Sequence, residues 1–116
     1  MRYIELNPVR AAMVATPEAH RWSSVHTHLG RTCDPLITLH PTYLALGADI
    51  VERANVYQQW LRAGISDDDL TAIRWHLAQE RALGDARFQR MLEKTLNRPV
   101  ACRVRGRPRK HIDGED

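Results

Sequence analysis

The apolar positions of the 116-residue chain recur with helical spacing, and no stretch of strand length alternates with a period of two. In residues 49–63, Ile50, Ala54, Tyr57 and Leu61 follow one another at intervals of four, three and four, which sets them on one face of a helix that Gly64 closes. Ser66 and the acids Asp67, Asp68 and Asp69 then supply an N-cap, a capping-box acid and carboxylates beside the positive end of a helix dipole. The helix they start carries Leu70, Ile73 and Leu77 inward and is expected to run to about Arg81. Leu83 and Gly84 break the pattern, and Phe88, Met91, Leu92 and Leu96 predict a further helix from about Asp85.

Before Asp49 the pattern is less regular. Residues 3–14 have a helical pattern cut by Pro8, with Asn7 placed to cap a new helix. Residues 22–29 predict a short helix capped at Ser23 or Ser24, and residues 41–46 a brief one closed by Gly47. Residues 30–40, with Asp34-Pro35 inside them, read as a loop. The fold expected is all-α, a small helical domain of about five or six short helices followed by a disordered basic C-terminal tail.

Composition adds little until charge is located along the chain. Apolar residues at 43% and charged residues at 27% are those of an ordinary globular protein. No apolar run approaches the roughly 18 residues of a membrane span, and the start lacks the order of a secretory signal, so a cytoplasmic protein without a membrane partner is expected. Cys33 and Cys102 belong to no C-x-x-C and read as reduced thiols. Six of the 17 basic residues and three of the 14 acids lie from Arg98 onward, which leaves eleven of each in residues 1–97. The body is neutral and the basic excess belongs to the tail, an electrostatic footprint for nucleic acid.

Three features carry candidate chemistry. In the tail RVRGRPRK, Gly106 lets the backbone lie close to a surface, Pro108 holds the chain extended and Arg105 and Arg107 flank the glycine, with Arg103, Arg109 and Lys110 around them. Such a strand suits the minor groove of A·T-rich DNA, and the Arg-Gly-Arg-Pro core resembles an AT-hook; a basic tail touching phosphates without preference is the other reading. Six released counterions give a log–log salt slope of about −5 at most. The two helices of residues 66–96 are compatible with a helix-turn-helix, in which Arg87, Arg90, Lys94 and Asn97 form a polar stripe, or with an ordinary solvated face. Finally, Tyr3 and Asn7 stand four apart, so on a continuous helix both point to one side, where a tyrosine hydroxyl beside a metal-ligating amide could attack a phosphodiester; packing and capping are the ordinary alternative.

The stretch RYIELNPVRAAMV, followed by PEAHRWSS, closely resembles the bacterial REP-associated tyrosine transposases of the single-tyrosine HUH class. DPLITLHPTYLALG, LGDARF and the terminal RGRPRK look like the C-terminal extension common among them. The resemblance implies an enzyme that cuts single-stranded DNA beside hairpins through a 5′-phosphotyrosine, with Tyr3 matching the nucleophile and Asn7 matching a ligand of a Mg²⁺ or Mn²⁺ site. It also implies two further ligands from a His-hydrophobe-His motif on a strand that precedes the tyrosine helix. His26-Thr27-His28 is the one local substitute; its middle residue is polar and it follows the tyrosine, so a surface pair of histidines is expected instead.

On this reading residues 1–30 are a remnant of the catalytic domain, residues 31–97 a helical C-terminal domain and residues 98–116 the tail. Ile4, Leu6 and Val9 are expected to have evolved to pack on a sheet. The chain is expected to bind hairpin or A·T-rich DNA in the nucleoid without cleaving it alone, with Tyr3 and Asn7 in an incomplete active site; a subunit that completes the site only when paired with a separate N-terminal half is one alternative. A stand-alone accessory DNA-binding protein and an inert relic are the rival expectations.

Overall fold

The computed structural model describes residues 1–104 and Gly106. The chain is all-α, with no strand among the described residues. It divides into two compact units, one of Met1–Ser66 and a second from Asp67 onward. Residues 31–66 thus share a unit with the opening segment, where the sequence grouped them with the later helices.

The first unit opens with two single helical turns, α1 (Arg2–Glu5) and α2 (Asn7–Arg10). Pro8 has no N–H to return to the Ile4 carbonyl, so the helix is interrupted at Leu6, which keeps helical dihedrals (φ −86°, ψ −7°). The run was expected to reach Val14. It stops at Arg10 because Ala12 turns left-handed (φ 56°) and the Met13 N–H bonds back to the Pro8 carbonyl at 2.9 Å, a helix-ending motif. Asn7 does not cap α2 but occupies its first position, behind Leu6.

After a 3-10 turn (Pro17–Ala19) come α3 (Val25–His28) and α4 (Pro41–Leu44), single turns again. Ser23 Oγ accepts the Val25 N–H at 3.2 Å, as the sequence allowed, whereas Ser24 stands at the N-cap position without capping. His40 Nδ1 caps α4 by accepting the Thr42 N–H at 3.1 Å. The long helix of the unit is α5 (Ile50–Ala63), capped by Asp49 Oδ1 on the Glu52 N–H (2.8 Å) and ended at Gly64 (φ 71°). Its inward residues Tyr57 and Leu61 join Val25 and Tyr43 in the core, with Leu6, Leu29, Leu39 and Leu46 packed around them. Leu6 therefore packs on this unit's own core, while Ile4 is exposed.

The second unit holds α6 (Asp67–Ala78) and α7 (Ala86–Leu96). Helix α6 ends before Arg81 because Glu80 turns left-handed (φ 52°) and the Arg81 N–H bonds the His76 carbonyl at 2.9 Å. Asp85 Oδ1 caps α7 on the Phe88 N–H at 2.7 Å, and left-handed Asn97 closes it. The chain after α7 stays with this unit: Val100 is buried, its N–H meets Glu93 Oε1 at 3.2 Å and its carbonyl accepts the Ala82 N–H at 3.0 Å. Val100, grouped by the sequence with the tail, is thus held here. Among the described residues no helix is long and apolar enough to cross a membrane.

Gly47 is a steric requirement of the α4–α5 junction. A Cβ at this position would stand 2.7 Å from Glu52 Cγ and 2.9 Å from the backbone nitrogen of Arg53. Gly47→Ala is expected to destabilise the first unit by about 1–3 kcal/mol in urea unfolding, while Gly64→Ala loses stability through its positive φ alone, with no atom within 4 Å to clash.

Candidate functional site at the opening helical run

Burial decides what the opening residues do. Glu5 is 2% exposed, a charged side chain at the centre of the first unit. Ser24 Oγ donates to its Oε1 at 2.5 Å, His28 Nδ1 donates to the same oxygen at 2.6 Å, and the Tyr57 hydroxyl donates to Oε2. Tyr43 completes the shell by donating its hydroxyl to the His28 carbonyl at 2.7 Å. The rings of His28, Tyr43 and Tyr57 stand 4.9 to 5.8 Å apart, tilted or edge-on. One carboxylate thereby ties α1 to α3 and α5, and the serine positioned to cap α3 spends its hydroxyl on the hub.

These contacts set the ionisation of the hub. Burial alone pushes the Glu5 carboxyl up, but the donors from His28, Ser24 and Tyr57 outweigh it and hold its pKa below the ordinary carboxylate value. Burial, and then the hydrogen bond to Glu5, raises the Tyr57 phenol, and burial raises that of Tyr43, so both remain protonated donors at neutral pH.

Tyr3 and Asn7, the predicted catalytic and metal residues, each stand two positions from Glu5. On a helix that is about 200° of rotation, which sets both away from the Glu5 side; Asn7 is exposed and Tyr3 half-buried. Arg10 joins them: its guanidinium lies 4.4 Å from the centroid of the Tyr3 ring, and it donates to the Tyr3 carbonyl and to Asn7 Oδ1. The Asn7 amide oxygen is therefore engaged by a cation. A Mg²⁺ or Mn²⁺ ion there would have to displace the arginine against its charge, and among the described residues no three His, Cys, Asp or Glu side chains converge on a metal-sized position. The residues present do not fit the implied metal.

Neither histidine of the expected surface pair is exposed. His28 is 4% exposed and bound to Glu5, while half-buried His26 bonds the His20 carbonyl through Nε2 at 3.0 Å. The sequence offered no sign of this, since a lone glutamate between Ile4 and Leu6 reads as a helix-surface acid.

The predicted DNA contacts divide by position. Arg87, Arg90 and Lys94 are exposed on α7, and Asn97, the fourth of the stripe, is exposed at its end. Residues 79–85 join α6 to α7, a longer link than the three or four residues of a helix-turn-helix. Arg103 is exposed, with its backbone N–H on Gln79 Oε1 at 2.9 Å, and a Cβ on Gly106 would meet nothing within 4 Å. Arg105, Arg107, Pro108, Arg109 and Lys110 lie outside the described residues. Cys33 and Cys102 are free thiols.

Because the folded-state pKa of Glu5 is depressed, its stabilisation is present above the unfolded value near 4.5 and is lost as pH falls through the folded value. Glu5→Gln is expected to flatten this acid limb of a stability-versus-pH curve. Glu5→Ala, which leaves three donors unpaired, is expected to cost on the order of 3 kcal/mol at pH 7, read by urea unfolding. No known protein family, curated protein or solved structure matches the chain.

Proposed function

We propose that the chain is the DNA-binding C-terminal portion of a tyrosine transposase of the REP-associated type that it resembles, and that by itself it binds hairpin or A·T-rich DNA without cutting it. The observation that carries this reading is Arg10, seated between Tyr3 and Asn7 on the outward side of the opening helical run. A planar guanidinium stacked on an aromatic ring is a good phosphate anchor, so this side presents a strand-binding group against the Tyr3 ring. The same guanidinium occupies the amide that a metal would need. Binding without chemistry is what this arrangement supports.

Arg87, Arg90 and Lys94 on α7 and the basic residues from Arg103 to Lys110 supply further phosphate contacts in this reading. A weak helical contact gains affinity from a tethered second one through effective concentration. A nucleoid location follows from the DNA.

Two measurements test the reading. With a labelled hairpin, replacing Arg105, Arg107, Arg109 and Lys110 by glutamine is expected to weaken binding and to reduce the log–log salt slope by about 3 to 4; an unchanged slope removes the tail from the interface. Incubation of the isolated chain with single-stranded hairpin substrate and Mn²⁺ is expected to give no covalent adduct on a denaturing gel. An adduct that disappears in Tyr3→Phe overturns the claim of inactivity.

A further inference from the structure

The first unit carries two adjoining cavities away from Tyr3, Asn7 and Arg10. One, of about 580 Å³, has Arg2, Ile4, His40 and Trp60 in its walls; the other, of about 640 Å³, has Arg21, Trp22 and Asp34. Ser24 and Ile37 line both, so the two cavities adjoin at a shared wall as the two parts of a groove.

Each part of the groove holds an arginine against a tryptophan. The Arg2 guanidinium lies 5.9 Å from the centroid of the Trp60 ring and is fixed by donating to the Trp60 carbonyl at 3.2 Å. That of Arg21 lies 4.7 Å from the Trp22 centroid. Trp22 is 78% and Trp60 41% exposed, so each indole keeps much of its surface open. The acids nearby are already engaged: Asp34 Oδ1 accepts the Leu36 N–H at 2.9 Å, and Glu5 beneath Ser24 accepts its three donors.

We infer that this groove is a single-stranded DNA track in which Trp22 and Trp60 each stack an unpaired base while Arg21 and Arg2 meet the flanking phosphates. The inference rests on the DNA-binding reading and adds a second contact surface to it. Open indoles beside guanidinium groups supply the two interactions that sequence-independent single-strand binders combine, base stacking and backbone attraction. A duplex hides its base faces, so the groove selects unpaired strands. An aromatic peptide would also stack on the indoles, but it would lack the regular anionic backbone that two arginines on one groove match.

The test is binding of a labelled twelve-nucleotide oligo-dT to the full chain by fluorescence anisotropy at low salt. Trp22→Ala and Trp60→Ala are each expected to weaken binding about tenfold, on the scale of one stacked base, and Trp22→Phe to restore most of it. An abasic strand of the same length is expected to bind all these proteins alike. Circular dichroism confirms folding of the variants, and the highly exposed Trp22 gives the arm least tied to the fold. If the native chain binds the hairpin but both alanine variants hold oligo-dT within twofold of it, the groove proposal falls and the tail reading stands. If the native chain binds neither DNA, both fall.

Discussion

The first unit depends on one buried carboxylate. Glu5 accepts from Ser24, His28 and Tyr57 and is almost wholly withdrawn from water. A buried charge is tolerated only when its hydrogen-bonding capacity is filled, and here donors from α3 and α5 fill it. In a unit whose helices are, α5 excepted, single turns, this hub joins Leu6 on the core and Arg2 on the Trp60 carbonyl in holding the short N-terminal run in place. The tyrosines around the hub add apolar bulk and keep their protons, so they act as donors at ordinary pH.

The outward side of the opening run follows from that anchoring. With Glu5 turned in, Tyr3 and Asn7 lie away from its side, and Arg10, three residues beyond Asn7, falls beside them on the next turn. The shared side that the spacing of Tyr3 and Asn7 suggested thus has a cause in Glu5, two positions from each. Arg10 changes the chemistry available, because its guanidinium engages the Asn7 amide oxygen and lies against the Tyr3 ring.

The parts of the fold legible in the sequence were those written in local signals. Asp49 and Gly64 bound α5 and Asp85 starts α7 as read, because caps and positive-φ glycines act on their neighbours. Stops at Ala12 and Glu80 were not legible, since neither residue type favours the left-handed region. The Glu5–His28 pair spans 23 positions, and nothing local marks either residue as buried. The aromatic-arginine pairs of the groove were equally hidden: Arg2 and Trp60 meet only after α5 folds back on the start of the chain.

The functional account joins these levels: a polar hub fixes the opening run, and the run displays Tyr3, Asn7 and Arg10. The claim most open to direct attack is that the hub couples the opening run to α5. A double-mutant cycle of Glu5→Ala and Tyr57→Phe, read by urea unfolding, addresses it. A coupling of about 1 kcal/mol or more is the result the account requires, and additivity within about 0.3 kcal/mol would contradict it.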